Sequence, residues 1–332
     1  MLGEKKVTFS NTSSLRGSAQ EQGSIIELKN VSKHFGEVKA VDGLDLSIQR
    51  GEVYALLGHN GAGKTTTLRI ILGLLPVDGG MVSVFGADPL RVGETLRMRT
   101  GVLSEDNGLY ESLTVYDNLK FFAEVFHCKK EAYEPKIDHY LDEFEMLDKK
   151  HSVIKDFSLG MKKKVAIIRT LLHDPELVLL DEPTNGLDPI SIGKLHKIIF
   201  DMQSHGATFI LTTHNLDEVK KVCDEITIMR HGANILTKNL KLGDSGDVFK
   251  TKVSFVDAPD GAAVGKVVRS ANEKTKFAVK GNDLTIGTTD KTEVANIVHA
   301  LFDHGYLVYE IEKDELDLDR LYIQTEEEAE KK

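Results

Sequence analysis

Apolar runs and alternations divide the chain before any motif is considered. The first 24 residues are polar, serine-rich and without period, which predicts a disordered tail. Regular order starts at Ile25. SIIEL and LDLSI read as strands, the second with clear alternation. VYALLG at 53–58 is wholly apolar, the pattern of a strand covered on both faces. A glycine-rich turn follows, then KTTTLRIILGLL, a helix with a broad apolar face, and then the strand MVSVF at 81–85. Residues 92–150 are mostly helical in pattern. TVYDNLKFFAEVF opens with Thr114 and Asp117 at capping-box spacing, and KIDHYLDEFEML repeats apolar positions at helical spacing. Thereafter LVLLD, SIGKLHKIIFDMQ, TFILTT, NLDEVKKV and EITIM alternate strand with helix, which predicts a parallel sheet with right-handed crossovers.

From about residue 241 the composition changes. Strand 251–256, helix 261–271, strands 275–279 and 283–286, helix 291–304 and strand 306–312 give the order β-α-β-β-α-β of a small ferredoxin-like unit. The expected organisation is a tail over 1–24, an α/β domain over 25–240 with a helical subdomain at about 92–160, an α+β accessory domain over 241–320, and an acidic tail over 321–332. The 332 residues, 41% hydrophobic and 28% charged, fit a soluble globular protein. A net charge of −10 argues against a nucleic-acid partner. Cys128 and Cys223 have no metal-like spacing, and a reducing cytoplasm is the expectation. No run reaches the roughly 18 apolar residues of a membrane span, so any membrane role must come through a partner.

Three stretches carry chemistry. GHNGAGKT, Gly58 to Thr65, matches the phosphate-binding pattern G-x-x-x-x-G-K-[ST] between an apolar strand and a helix. Its glycines permit turns that aim amides at phosphate oxygens. Lys64 adds a full charge, worth roughly 4 kcal/mol against a unit anion at about 4 Å in an intermediate dielectric. Thr65 offers a hydroxyl to Mg²⁺. In LVLLDEP, Asp181 and Glu182 end a buried strand, where ligands gather in open α/β sheets; Asp181 suits a metal and Glu182 a general base. His214 ends the next strand, in FILTTHN, and Asp188 reads as a turn residue or helix N-cap. The third stretch is FSLGMKKK. Ser158 suits an N-cap, and the first turn has no acid, a helix start able to hold an anion. The lysines at 162–164 read as a solvated helix face.

GHNGAGKTT, SLGMK, LVLLDEPTNGLDP and LTTH, in that order over about residues 25–235, resemble the nucleotide-binding subunit of ABC transporters, and SLGMK resembles the antibiotic-resistance and ABC-2-type exporter group. The resemblance implies a RecA-like P-loop NTPase core with an antiparallel β subdomain and an inserted helical subdomain. It implies ATP and Mg²⁺ as cofactors. Gly58, Asn60, Gly61, Ala62, Gly63, Lys64, Thr65 and Thr66 would line the phosphate cradle, Glu182 and His214 would be catalytic, and Thr65, Asp181 and Glu105 would hold the metal. Ser158 and Gly160 fall on the signature motif, Asp188 on the D-loop and Phe35 on the adenine-stacking aromatic. Two departures stand out: the signature lacks its first glycine and its glutamine, and Glu105 occupies the place of the loop glutamine near the metal. The implied partners are a membrane-spanning permease, contacted through the region of Tyr110, Leu113 and Tyr116, and a second ATP-binding subunit in a head-to-tail homodimer. FSLGMKKK is then half a site, covering a nucleotide held by the other copy. The implied location is peripheral, on the cytoplasmic face of the cell membrane. The alternative is a soluble ATPase of the same type acting on ribosomes or nucleic acid.

Overall fold

The computed structural model describes residues 23–241, 249–272, 275–288 and 290–314. The polar N-terminal stretch up to residue 22 and the acidic end at 321–332 lie outside the described residues. The chain divides into two compact units between Lys238 and Asn239.

The first unit opens with two long strands, β1 (Ser24–Phe35) and β2 (Val38–Gln49). β3 (Val53–Leu57) leads through the glycine-rich loop into α1 (Lys64–Ile71), and β4 (Gly79–Val84) follows. β2, β1 and β4 form a three-stranded antiparallel sheet in that order. α1 ends at Ile71, short of the apolar run's end at Leu75, because Gly73 takes a φ of +65°.

Next come α2 (Gly93–Met98), β5 (Thr100–Leu103), α3 (Val115–Val125), α4 (Lys130–Glu143) and α5 (Leu159–Leu171). Thr114 caps α3 by accepting from the Asp117 amide, as the capping-box spacing implies. The stretch from residue 92 is not helical throughout: β5, four residues too short to show alternation, joins the main sheet. β6 (Leu177–Asp181), α6 (Pro189–Ser204), β7 (Thr208–Thr213), α7 (Leu216–Val222), β8 (Glu225–Arg230) and β9 (Ala233–Asn239) complete the unit. β9 is an edge strand with no fully buried residue, so its sequence lacks the apolar run that marked its neighbours.

The main sheet runs β5-β6-β7-β3-β8-β9, and the pairs from β5 to β8 are parallel. Every residue of β3, β6 and β7 is buried, the condition of a sheet covered on both faces. Across the sheet Leu57 lies opposite Thr213, and Asp181 opposite Thr212. The C-terminal ends of these three strands are therefore level. Among the described residues no helix is long and apolar enough to cross a membrane.

The second unit contains β10 (Phe249–Phe255), α8 (Gly261–Ala271), β11 (Lys276–Lys280), β12 (Asp283–Thr288), α9 (Lys291–Asp303) and β13 (Val308–Asp314). Its sheet is antiparallel in the order β11-β12-β10-β13. Its separate core joins Val253 and Phe255 to Val264, Val268, Leu284, Ile286, Ile297 and Leu301.

Phe209 is fully buried in β7, beneath the strand ends that carry Thr212 and Thr213. Phe209→Ala should lower the stability of the first unit by about 3–5 kcal/mol. A urea titration followed by circular dichroism should show an earlier midpoint at unchanged slope.

Candidate functional site

The loop from Gly58 to Gly63 joins β3 to the start of α1 and is held close to neighbouring backbone. Gly63 has a φ of +103°, and a Cβ there would lie 2.3 Å from the Ala40 carbonyl oxygen. No side chain caps α1 and its first turn carries no acid, so the positive end of the helix is unopposed there. Asn60 and Gly61 are exposed at the crest of the loop, Ala62 and Gly63 are buried, and Thr66 is half-buried in the first turn of α1. The Ala62 amide donates to the His59 carbonyl at 3.1 Å, closing the turn.

Lys64 is buried, and its ammonium folds back over the loop. Nζ donates to the carbonyls of Gly58 at 2.5 Å and His59 at 3.3 Å and lies 3.7 Å from a Glu182 oxygen. Thr65 donates its hydroxyl to Asp181 at 3.0 Å. Asp181 also accepts from the Thr212 hydroxyl, across the neighbouring strand. Glu182 leaves the sheet at a φ of +46°, uncommon for a side-chain-bearing residue. Its amide is tied to Thr212 twice, to the carbonyl at 3.1 Å and to the hydroxyl at 3.2 Å. His214 Nδ1 then sits 3.1 Å from both Glu182 carboxylate oxygens, with the ring largely exposed. Lys64, Thr65, Asp181, Glu182 and His214 thus form one connected cluster at the level strand ends.

Ser158, Gly160 and Asp188 form another group. Ser158 caps α5 by accepting from the Met161 amide at 3.3 Å. Asp188 caps α6, accepting from the Ser191 amide at 2.9 Å and hydroxyl at 2.6 Å. These bonds, with Lys164 Nζ at 3.2 Å, hold its carboxyl well below the usual carboxylate range. A Cβ at Gly160 would stand 2.6 Å from the Gly186 carbonyl oxygen, so the start of α5 lies directly on the turn before α6. Among the described residues no hydrogen bond or ion pair links Ser158, Gly160 or Asp188 to the loop cluster.

The expected solvated face at 162–164 is not present. Lys162 pairs with Glu111 at 2.5 Å and Lys164 with Asp188, while Lys163 is buried at 6% exposure. Position 163 falls on the same face of α5 as the buried Ala166, Ile167 and Thr170, and the helix turns it inward whatever its polarity. Burial pushes the Lys163 ammonium below the usual lysine value, and the carboxylates of Asp181, Glu182, Glu105 and Glu218 pull it back up. Glu105 itself is exposed in the loop after β5. Phe35, at the end of β1, is 50% exposed with Lys33 Nζ 5.8 Å from its ring centroid, an available face rather than a core aromatic. Tyr110 is exposed and packs edge-on to Phe121 at 5.2 Å, while Leu113 and Tyr116 are half-buried.

Four site residues escaped sequence reasoning: Thr184, Thr212, Thr213 and Glu218. Thr212 and Thr213 are buried hydroxyls that follow the apolar middle of β7, Phe209 to Leu211. A hydroxyl so placed needs a partner, and that was the available signal. Among the described residues no group of three or more His, Cys, Asp or Glu side chains forms a metal site. The oxygens of Thr65 and Asp181, hard donors in contact, fit a Mg²⁺ ion that takes its remaining ligands from phosphate and water.

A family model described as ABC transporter matches residues 41–185. An ABC transporter ATP-binding protein of Methanocaldococcus jannaschii is 36% identical, over 74% of this chain and 85% of the relative. The bacitracin transport ATP-binding protein BcrA of Enterococcus faecalis is 30% identical, over 89% of this chain and 94% of the relative. The solved structure of cbiO1 from Clostridium perfringens, part of the ABC transporter complex cbiONQ, is similar with a TM-score of 0.58 and 29% identity, covering 76% of this chain and 96% of that one. The α/β architecture is that of the P-loop NTPases.

At Gly63 a side chain meets both a left-handed φ and the Ala40 carbonyl. Gly63→Ala should weaken ATP binding at least ~10-fold, a penalty of about 1.4 kcal/mol or more. Titration with a fluorescent ATP analogue checks it.

Proposed function

The chain belongs to the ATP-binding proteins of ABC transporters, which hydrolyse ATP to power transport, and on that premise we propose how its residues divide the work. The amides of residues 61–66 and the Lys64 ammonium hold the β- and γ-phosphates, and Phe35 stacks on the adenine. Thr65 and Asp181 hold Mg²⁺, which supplies charge neutralisation to the phosphates when bound. Glu182 takes the proton of the attacking water, and His214 orients Glu182 and contacts the terminal phosphate. The observation that carries this reading is the single cluster in which Lys64 Nζ and His214 Nδ1 meet Glu182 at 3.7 and 3.1 Å while Thr65 meets Asp181 at 3.0 Å. Cation, metal donors and base are within reach of one phosphate chain, as phosphoryl transfer requires.

Ser158, Gly160 and Asp188 act on a different nucleotide. They make no bond to the loop cluster of their own chain, and the acid-free start of α5 is suited to an anion. A second copy, placed head to tail, brings that group over the first copy's ATP. Closing and reopening of the pair drives a membrane-spanning permease, placing this chain at the cytoplasmic face of the membrane. The exposed aromatic patch of Tyr110 and Phe121 serves the permease contact. Glu105, exposed in the loop after β5, takes the part of the loop glutamine through a carboxylate oxygen. The direction is export, in keeping with the SLGMK form. Relatives named as transporter components support a membrane partner over the ribosome or nucleic-acid alternative. Residues 25–240 form the ATP-binding domain, and the ferredoxin-like unit after it is an accessory.

Glu182→Gln should cut turnover by ~100-fold or more while retaining ATP binding, and should accumulate an ATP-bound dimer in gel filtration. Wild-type steady-state hydrolysis by that variant would remove Glu182 as the base. Ser158→Arg should abolish ATP-driven dimerisation while the monomer's ATP affinity stays within about 3-fold, roughly 0.7 kcal/mol. Equal loss of both would contradict a site shared between two copies.

A further inference from the structure

Glu218 is 4% exposed, lies in α7 past His214, and is absent from the cluster described above. One of its oxygens, Oε2, accepts two hydroxyl hydrogens: from Thr184 at 2.9 Å and from Thr213 at 3.1 Å. The two donors come from different strand ends. Thr184 stands in the turn that begins with Glu182, and Thr213 is the last residue of β7, next to His214. Around His214 the bonding closes into a ring. The Asn215 amide donates to the Thr213 hydroxyl oxygen at 3.0 Å, and the Glu218 amide donates to the Asn215 side-chain oxygen at 3.3 Å. His214 is thereby held on both flanks by residues that Glu218 anchors. The other carboxylate oxygen, Oε1, is buried and has no hydrogen-bond partner among the described residues. A buried acceptor left unpaired costs stability. Burial also pushes the Glu218 carboxyl up, against the two hydroxyls that stabilise its charge.

We propose that Glu218 is a positioning residue for ATP hydrolysis, a buried bracket that ties the Glu182–Thr184 turn to the Thr213–His214 strand end and so sets the Glu182–His214 contact. The inference rests on the reading that Glu182 and His214 act on ATP. Among the described residues, the side-chain hydrogen bonds of Glu218 go to Thr184 and Thr213 and not to the phosphate loop or the metal donors. Its effect is on the geometry of the base, with nucleotide binding left to Lys64 and the loop amides.

Glu218→Ala, Glu218→Gln and Thr184→Val test this beside Glu182→Gln in the full chain. Glu218→Ala should lower kcat by ~10–100-fold, with KM for ATP within ~2-fold and one nucleotide still bound per chain. Glu218→Gln keeps an oxygen for both hydroxyls and should hold kcat within ~3-fold of wild type. Thr184→Val removes one arm of the bracket while keeping the carboxyl group, and should lower kcat ~3–10-fold even if Glu218→Ala fails to fold. Unchanged kcat in Glu218→Ala or Thr184→Val overturns the proposal. So does a kcat loss that follows a falling number of binding sites, or a glutamine variant as impaired as the alanine. If Glu182→Gln itself turns over normally, the catalytic reading fails instead.

Discussion

The lateral register of three neighbouring strands is the constraint on which the site depends. Parallel strands lie about 4.8 Å apart, so residues opposite each other at their ends are contacts by default. Leu57 faces Thr213 and Asp181 faces Thr212, which brings the loops after β3, β6 and β7 to one edge. A slip by a single residue would turn Asp181 to the opposite face and separate it from Thr65 and Thr212. The complete burial of all three strands is what makes such a slip costly.

Charge is arranged around that edge with unequal depth. Asp181 and Glu218 are buried, Glu182 is partly covered, and Glu105 is exposed. Two lysines answer them from different elements. Lys64 reaches over the loop from the first turn of α1, and Lys163 comes from the body of α5 with its ammonium withdrawn from water. The carboxylates of Asp181, Glu182, Glu105 and Glu218 offset part of the downward push that burial exerts on the Lys163 ammonium.

The motif-bearing parts of the fold were legible because their chemistry leaves little choice. A wholly apolar five-residue run before a glycine-rich turn has one reasonable structure, and an acidic pair closing such a run must sit at the strand's end. Among the described residues the β-α-β-β-α-β order of the second unit follows the order read from the sequence. Lys163 was not, because nothing local marks a lysine in a run of three as the one that its helix turns inward. β5 and β9 were hidden by shortness and by partial exposure, which erase the period. Thr184, Thr213 and Glu218 act through bonds between segments separated along the chain, and such bonds have no sequence period to reveal them.

The close approach of Gly160 to the Gly186 carbonyl, reinforced by the Lys164–Asp188 pair, has a mechanical consequence. With no side chain between them to compress or rotate, the start of α5 and the turn leading into α6 cannot shift independently. A displacement of the turn that follows Glu182 is therefore passed to Ser158, at the exposed start of α5.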